Sequence, residues 1–382
     1  PSKSMIAAGR AADTIRHAGR FGVNGHEPQI DFGRVHDHIH GVITAIAPND
    51  SVERFEGLGV KVIRASARFT GPDTVEAGGA TIKARRFVLA TGSRASHPPI
   101  PGLGDVPFLT NETIFERKAA PEHLIVIGGG YIGLEAAAVA RKLDLAVTLI
   151  EAADRILKRV AAAETSDYFR ALHLSKGVDL REDIGLNHLI GTEGRVTGAI
   201  LPSGEELPVD VVVVGIGVQP NSRLAEAAGL TLDNGISVDA QCRTSDPAIF
   251  AAGDCASFPY HSARIRLESV GNAIDQAEAA AANMLGQTQD YVAKPWFWSD
   301  QFGVKLQIAG LAGGHDNVIS RVGGDVARSH WYFRGGQLQA VDAMNDPKVF
   351  MIAKRLLEGG VRVDPGYVAD PASDLRGLLK AS

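Results

Sequence analysis

Cysteine is almost absent from this sequence of 382 residues, which contains only Cys242 and Cys255. The two are not spaced as C-x-x-C, the arrangement that metal knuckles and dithiol motifs use. So few cysteines exclude a disulfide framework of the kind that stabilises small secreted domains. A reducing compartment suits such a chain, and we expect it in the cytoplasm.

Long apolar runs and blocks of like charge are also lacking. No segment approaches the roughly 20 apolar residues of a membrane-spanning helix, and no signal peptide is recognisable. The 39 Lys and Arg residues nearly balance the 44 Asp and Glu residues, giving a net charge of −5. We therefore expect neither nucleic acid nor a membrane as a partner. The 45% of hydrophobic residues is enough for the cores of two or three domains.

The stretch from Leu124 to Glu151 carries the clearest pattern. Its aliphatic start is typical of a parallel strand that is covered on both faces. A glycine turn follows that fits G-x-G-x-x-G, and such glycines provide a tight turn, close approach to a pyrophosphate and helix–strand contact. The turn predicts dinucleotide contacts at Gly128, Gly130, Tyr131, Ile132 and Gly133.

A helix, a second strand and an acid complete this pattern. The alanine-rich run Leu134–Leu143 predicts a helix whose N-terminus faces the phosphates. The β-branched run Ala146–Ile150 ends at Glu151, roughly 20 residues beyond the glycines, where a carboxylate accepts from a ribose hydroxyl. The unit is therefore predicted to bind NAD(H) rather than NADP(H). A glycine-rich turn in some other α/β domain is the alternative.

Two helices are expected near the start of the chain, over Ser4–Arg20 and Asp31–Ile46. The second contains three histidines, at 36, 38 and 40, and a spacing of two on a helix puts neighbouring histidines on different faces. Zinc-binding helices instead use an i, i+4 pair. We therefore expect a solvated helix face here and no metal site.

Short strand-like pieces over Val60–Phe87 predict a β-meander that leads into a further strand. That strand ends in Ala90-Thr91-Gly92-Ser93-Arg94, which resembles the A-T-G turn of the two-dinucleotide-binding flavoproteins. In that superfamily the turn marks the return of the chain from the FAD domain to the NAD domain. The resemblance makes Thr91, Gly92 and Arg94 candidate FAD contacts.

Two later strings fit the same superfamily. The buried strand Val211–Val214 runs into a loop, GIGVQPN, whose Gly217 is expected near the nicotinamide end of the NAD site. Thr244–Asp254 matches T-x6-A-x-G-D, the superfamily's second FAD fingerprint. Its small residues would let the ribityl chain lie against the backbone at Gly253, and Asp254 would accept from a ribityl hydroxyl. A helix cap is the alternative role of this aspartate.

The next segment begins a long helix whose N-terminus would point at the edge of the flavin where negative charge collects on reduction. Its candidate contacts are Glu268, Ser269 and Val270. The string PWFWSDQ holds two of the three tryptophans, and core packing is one explanation of this cluster. We favour Trp298 lying against the isoalloxazine ring.

From Pro121 onward the chain resembles the FAD-dependent ferredoxin reductases that supply oxygenases, such as the putidaredoxin and biphenyl-dioxygenase ferredoxin reductases. The strings that carry the resemblance are GGGYIGLEAA, GIGVQPN, AAGDCASFP, RLESVGNAIDQA, PWFWSDQ, KLQIAGL, WYFRGGQLQAVDAMNDPK and VDPGYVADP. The resemblance implies a C-terminal domain that helps to shape the docking surface of a [2Fe–2S] ferredoxin.

The N-terminal third is more similar to dihydrolipoamide dehydrogenase and mercuric reductase, through PSKSMIAAGR, RRFVLATGSR and FLTNETIFE. In those enzymes P-S-K follows a redox C-x4-C at once. The chain starts at that point without an initiator methionine and without a first G-x-G-x-x-G, so we expect it to begin inside a domain. Both families imply that Lys3 and Glu135 pair beside flavin N5 as catalytic residues, whereas two unrelated surface charges are the alternative.

The expected fold class is α/β, with two Rossmann-like dinucleotide-binding domains, for FAD and NAD, and a C-terminal α+β domain. The predicted segments are residues 1–120 for the first part of the FAD domain, 121–243 for the NAD domain, 244–294 for the second FAD part, and 295–382 for the C-terminal reductase domain.

The leading hypothesis is an NADH-dependent FAD enzyme that takes hydride from NADH and passes single electrons to a [2Fe–2S] ferredoxin of an oxygenase system, as a monomer or homodimer. A disulfide or mercuric reductase and an inactive NAD-binding remnant are the alternatives. From Pro295 onward ten Lys and Arg face nine Asp and Glu, so the ferredoxin surface is not evident from charge. A local basic patch through Arg328, Arg334, Lys354 and Arg355 is one possibility.

Overall fold

The structure is a computed structural model that describes residues 1–324 and 326–379. It divides into two compact units. The first unit comprises Pro1–Ala47, Ala95–Gly217 and Trp298–Ser382, and the second comprises Pro48–Arg94 and Val218–Phe297. The predicted division into four segments stays a prediction.

The described residues contain helices and strands throughout, in the mixed α/β arrangement that the sequence predicts. The helices are α1 (Ser2–Arg16), α2 (Phe32–Ile46), α3 (Val52–Gly57), α4 (Tyr131–Lys142), α5 (Ala163–Ser175), α6 (Arg223–Ala227), α7 (Val270–Met284), α8 (Pro347–Glu358) and α9 (Pro365–Ala369). The strands as far as the first long hairpin are β1 (Ala67–Gly71), β2 (Thr74–Ala77), β3 (Ala80–Lys83), β4 (Phe87–Leu89), β5 (Ser93–Ala95), β6 (His123–Ile127), β7 (Ala146–Ile150), β8 (Asp179–Arg181), β9 (His188–Thr192), β10 (Arg195–Ile200) and β11 (Glu206–Pro208). The later strands are β12 (Val211–Val214), β13 (Val218–Pro220), β14 (Ile236–Ser237), β15 (Ile249–Ala251), β16 (Ala256–Tyr260), β17 (Ala263–Ile265), β18 (Trp296–Gln301), β19 (Val304–Gly310), β20 (Asn317–Val322), β21 (Arg328–Arg334) and β22 (Gln337–Met344).

A four-stranded parallel sheet forms the centre of the first unit, in the order β12-β6-β7-β8. Its strands are almost continuously apolar because both faces are covered. Ile125 and Leu149 have no exposed surface, and all four valines of β12 are buried. The predicted strand, glycine turn, helix and second strand are confirmed as β6, the turn at Gly128, α4 and β7.

The two predicted N-terminal helices are confirmed as α1 and α2. Helix α2 begins after Asp31, whose side chain accepts from the Arg34 N–H as an N-cap. The expectation of a solvated histidine face on this helix was wrong, because His36 is buried and only 9% exposed. His36 and His40 are separated by one helical turn and share a face of α2, whereas histidines two residues apart lie on different faces.

The C-terminal part of the first unit contains a five-stranded sheet, in the order β18-β19-β22-β21-β20. Trp331, Tyr332 and Phe333 on β21 have no exposed surface, so this strand lies in the core. Helix α8 packs on the sheet and starts with Pro347 after the N-cap Asp346, whose carboxylate accepts from the Val349 N–H. This α+β region agrees with the predicted C-terminal domain type.

The second unit contains the predicted meander, the antiparallel sheet β1-β2-β3. Strand β4 pairs in parallel with β15, and this brings the end of the A-T-G strand beside the strand of the second FAD fingerprint. Helix α7 packs below them and contributes the buried Ala279 and Ala280 to the same core.

Among residues 1–324 and 326–379, no helix has the length and apolar character needed to cross a membrane.

Candidate functional site

The glycine turn between β6 and α4 has no room for side chains. Gly128 adopts φ of 110°, and a Cβ added there would lie 2.6 Å from the Gly215 carbonyl oxygen. A Cβ on Gly133 would lie 2.0 Å from the carbonyl oxygen of Gly128. The glycines therefore allow the strand, the turn and the helix to approach closely, and α4 begins directly after Gly130. This cradle fits the pyrophosphate of a dinucleotide.

The carboxylate of Glu151 lies against this turn and is held there by backbone N–H groups. Its Oε2 accepts from the Gly129 N–H at 2.6 Å, and its Oε1 accepts from the Ala153 N–H at 2.7 Å. The predicted ribose-binding carboxylate therefore stands at the tip of β7, in contact with the glycine turn. A negative charge at this place fits a ribose with free hydroxyls and repels a 2′-phosphate.

The other predicted NAD contacts in the first unit flank the same turn. Tyr131 and Ile132 form the first residues of α4. Gly217 adopts φ of 104°, and a Cβ added there would lie 2.7 Å from a guanidinium nitrogen of Arg159. We did not single out Arg159 from the sequence, because nothing in its local pattern indicates that the chain folds back onto the loop after β12.

Lys3 and Glu135 lie together in the first unit. The Nζ atom of Lys3 is 3.6 Å from Oε1 of Glu135 and 3.3 Å from Oδ2 of Asp300. The Glu135 carboxylate also accepts from the Ser299 hydroxyl at 2.9 Å and from the Asp300 N–H at 3.0 Å. The lysine thus faces two carboxylates, the predicted Glu135 and Asp300, which the sequence pattern does not indicate.

Trp298 belongs to this cluster. The Lys3 ammonium lies 5.6 Å from the centroid of its ring, a cation–π distance. The predicted contact of Trp298 with a flavin ring stays a prediction. The neighbouring Trp296 packs in the second unit, where its Nε1 would lie 3.0 Å from a Cβ on Gly271.

In the second unit, the A-T-G turn is tied to the loop after β13. Gly92 adopts φ of 64°, and the Thr91 hydroxyl donates to the Asn221 carbonyl at 2.6 Å. The Arg94 guanidinium donates to the side chains of Asn221 at 2.9 Å and Gln219 at 3.2 Å. These bonds hold Arg94 on the GIGVQPN loop while its side chain stays exposed.

Gly253 and Asp254 follow β15, as the fingerprint requires. Gly253 adopts φ of 80°, and its N–H donates to the Gln276 side chain at 2.8 Å. The Asp254 carboxylate accepts from the Ser93 hydroxyl at 2.8 Å. A carboxylate beside a glycine, after a strand that ends in alanine, fits the sugar-like chain of a flavin cofactor.

The start of α7 provides the third predicted FAD segment. The Ser269 hydroxyl accepts from the Asn272 N–H at 3.3 Å as an N-cap, and the Val270 side chain is 68% exposed. Glu268 is paired with Arg266 at 2.7 Å, and Arg266 also donates to the Asp254 carbonyl at 3.1 Å. An open helix N-terminus next to these groups suits an electron-rich ring edge.

Family models match almost the whole chain. Residues 1–279 match the pyridine nucleotide-disulphide oxidoreductases, and residues 296–379 match the reductase C-terminal domain. Rhodocoxin reductase of Rhodococcus erythropolis is 41% identical over 76% of this chain and 70% of its own length. Putidaredoxin reductase of Pseudomonas putida is 38% identical over 78% of this chain and 74% of its own length.

Solved structures give the same result. The ferredoxin reductase for the CYP199A2 system of Rhodopseudomonas palustris has a TM-score of 0.80 and 36% identity, covering 86% of this chain and 84% of that one. The covalent putidaredoxin reductase–putidaredoxin complex has a TM-score of 0.78 and 36% identity, covering 83% and 80%. The chain therefore belongs to the pyridine nucleotide-disulphide oxidoreductase family, and within it to the ferredoxin reductases.

Proposed function

We propose that this protein is an NADH-dependent FAD enzyme that delivers single electrons to a [2Fe–2S] ferredoxin of an oxygenase system. Its relatives are named as reductases of rhodocoxin, of putidaredoxin and of dioxygenase systems. The observation that carries the choice of NADH is the Glu151 carboxylate, held by the N–H groups of Gly129 and Ala153 at the glycine turn. FAD and NAD are the cofactors of this family.

On the nucleotide side, the role of the protein is to bind NADH and to orient it. The backbone N–H groups at the start of α4 would hold the pyrophosphate. Gly128, Gly130 and Gly133 leave these groups accessible because glycine has no side chain. Tyr131, Ile132 and Gly217 would line the path towards the nicotinamide. Glu151 would hold the ribose hydroxyls, so that the reactive end of NADH is positioned by bonds made at the other end of the molecule.

On the flavin side, Asp254 and Gly253 would hold the ribityl chain, with Thr91, Gly92 and Arg94 on the neighbouring strand end. Residues 268 to 270 would place the N-terminus of α7 at the ring edge. A bound flavin accepts hydride from NADH and gives up electrons one at a time, which is the chemistry that this cofactor supplies. Because the flavin supplies this chemistry, no side chain of the protein has to act as an acid or a base in the reaction.

Lys3 is proposed to stabilise negative charge that arrives with the electrons, and Glu135 to compensate the lysine when no such charge is present. The ion pair at 3.6 Å supports this role, as does the second carboxylate of Asp300 at 3.3 Å. Trp298 is proposed to cover the flavin ring. Since its ring also lies near Lys3, it would shield the pair from water on that side.

The basic patch considered above for ferredoxin docking comprises Arg328, Arg334, Lys354 and Arg355. Arg328 and Arg334 begin and end β21, which places them about 20 Å apart at the usual rise per strand residue. Lys354 pairs with Glu358 at 2.7 Å, and Arg328 lies over the Tyr168 ring. The basic patch through these residues stays a prediction. We propose a monomer or homodimer without nucleic-acid or membrane partners.

The disulfide or mercuric reductase alternative receives no support from the two thiols of this chain. Cys242 and Cys255 are both buried and unpaired. Burial, with the nearby Asp239 charge, raises the pKa of the Cys242 thiol to about 12, so the reactive thiolate does not form near neutral pH. Two free, buried cysteines are also the basis for proposing a cytoplasmic location.

Absorbance spectroscopy of the purified protein tests the proposal. We expect flavin bands at about one FAD per chain, which bleach on anaerobic addition of NADH and bleach far more slowly with NADPH. A protein without flavin, or a flavin that NADH does not bleach, would contradict the proposal and favour the inactive NAD-binding alternative.

A further inference from the structure

His36 and His40 form a pair on α2 that the proposed electron-transfer function does not use. They are separated by one helical turn, the spacing by which a helix directs two imidazoles at one metal ion. Their rings stack with centroids 4.1 Å apart and an interplanar angle of 28°. His38, between them, is exposed on another face of the helix.

A carboxylate from another segment meets this pair. Glu116 ends the 3₁₀ turn Ile114–Glu116, and its Oε2 lies 3.5 Å from Nε2 of His40. One ligand atom from each of His36, His40 and Glu116 lies within 4.8 Å of the other two. Two imidazoles and one carboxylate are the donor set of several open zinc sites.

The contact between His40 and Glu116 is too long for a good hydrogen bond. His40 Nε2 is buried and has no hydrogen-bond partner among the described residues. Two atoms that each bind a tetrahedral Zn²⁺ at about 2.1 Å lie about 3.4 Å apart. The observed 3.5 Å therefore matches the separation of two metal ligands better than that of a donor and an acceptor.

His36 is oriented by a carboxylate of its own. Its Nδ1 lies 3.2 Å from Oδ1 of Asp37, so this contact assigns the proton to Nδ1 and leaves Nε2 as a ligand. The His36 side chain is 10% exposed, that of His40 35% and that of Glu116 66%. The site is thus anchored in the interior and open to water on its Glu116 side.

The two ligand-bearing segments are fixed against each other by apolar packing. Val35 and Ile39 of α2 and Ile114 of the 3₁₀ turn line one small cavity of about 60 Å³. Ile39 is only 2% exposed. Because the buried Ile39 lies between the two histidines in sequence, the packing fixes the backbone that carries them. The stacked imidazole rings must turn about their side-chain bonds to direct both nitrogens at one ion.

We propose that His36, His40 and Glu116 bind one divalent transition-metal ion, with Zn²⁺ as the matching case and water completing the coordination. Imidazole nitrogen selects Zn²⁺ and its neighbours over Mg²⁺ and Ca²⁺, which prefer oxygen ligands. The ion would connect α2 to the segment that precedes β6. This site does not rest on the proposed electron transfer and would stabilise the fold.

Calorimetric titration of the chelator-treated protein with ZnCl₂ tests the proposal. We expect one Zn²⁺ per chain in the wild type and no detectable binding of MgCl₂. His40→Gln and Glu116→Gln should each weaken Zn²⁺ binding by at least about tenfold, because even the loss of a group that only orients a metal ligand weakens binding by that much. His38→Gln is the matched control on the same helix and should keep wild-type affinity.

Thermal unfolding gives a second readout that does not depend on calorimetric heats. Zn²⁺ should raise the Tm of the wild type and of His38→Gln, and should leave the Tm of His40→Gln and Glu116→Gln unchanged. Both of these variants alter partly exposed side chains, so folding can be checked by circular dichroism without metal. Absence of one-to-one binding, or equal loss of affinity in His38→Gln, would overturn the proposal.

Discussion

The ammonium of Lys3 lies 3.6 Å from the carboxylate of Glu135, although the two residues belong to different helices, α1 and α4. The same carboxylate accepts from Ser299 and from the backbone of Asp300. Segments from the start, middle and end of the chain therefore meet at one charged cluster in the first unit. A cluster assembled from three such distant segments needs the complete fold.

Replacing Lys3 by Met should slow reduction of the flavin by NADH. Loss of one electrostatic donor in a closed site costs about 10²- to 10³-fold, but Lys3 is half exposed and solvent screens its charge. We therefore expect about a tenfold slower reduction, measured by stopped-flow absorbance. Lys354→Met, which also removes a paired lysine, is the control and should reduce at the wild-type rate. Equal rates for all three proteins would rule out the role of Lys3.

Gly133→Ala should weaken NADH binding and the fold together. The added methyl group would lie 2.0 Å from the Gly128 carbonyl oxygen, so the turn must move. Overpacking of this kind costs about 1–3 kcal/mol, measured as the free energy of unfolding in urea. Gly104→Ala is the matched control because its Cβ would meet no atom within 4 Å. Wild-type stability and NADH affinity in Gly133→Ala would contradict the close approach at this turn.

Glu151→Gln should reduce the preference for NADH over NADPH. The substitution keeps the size of the side chain and removes the charge that repels a 2′-phosphate. A hydrogen bond to a charged group contributes about 1.5–3 kcal/mol, so the ratio of kcat/KM for the two nucleotides should fall by about tenfold or more. Glu193→Gln, in an exposed turn after β9, serves as control. An unchanged ratio would show that another residue selects the nucleotide.

His173 should make the fold less stable in acid. Burial lowers its pKa from 6.5 to about 4, against the opposing hydrogen bond to Gln301 at 2.9 Å. A histidine whose pKa is lower in the folded state contributes stability above pH 6.5, and this contribution is lost as the pH falls towards 4. The full contribution is up to about 3 kcal/mol.

The test compares the free energy of unfolding of the wild type and His173→Gln at several pH values between 4 and 7. The difference between the two should be largest at pH 7 and shrink towards pH 4. Burial raises the pKa of Asp342 to about 6, so this carboxyl group makes the fold more stable as the pH falls. Its contribution to the free energy of unfolding is the same in both proteins and cancels in the difference. His38→Gln, on an exposed position, should follow the wild type at every pH. A constant difference would contradict the assignment.

The glycine turn between β6 and α4 could be predicted because the residues that form it lie close together in the sequence. Strand, glycines, helix and terminal acid follow one another within a single stretch, and the structure reproduces them as β6, the turn, α4 and β7. The meander β1-β2-β3 was predictable for the same reason, since turns separate its short strands.

Contacts between distant segments were not predictable from patterns. Asp300 as the second partner of Lys3, and Arg159 against Gly217, depend on how remote parts of the chain fold back. The burial of His36 was missed for a different reason. Helix α2 was predicted correctly. The one-turn spacing between His36 and His40 was the sequence signal that indicates a shared helix face.

Reduction of a [2Fe–2S] ferredoxin by NADH tests the central claim most directly. The FAD-loaded protein is mixed anaerobically with NADH and increasing concentrations of a [2Fe–2S] ferredoxin, and the absorbance of the iron–sulfur cluster is followed. We expect ferredoxin reduction at a rate that saturates with ferredoxin concentration and is much slower with NADPH. A flavin that NADH bleaches while the ferredoxin stays oxidised would contradict the claim that this protein is a ferredoxin reductase.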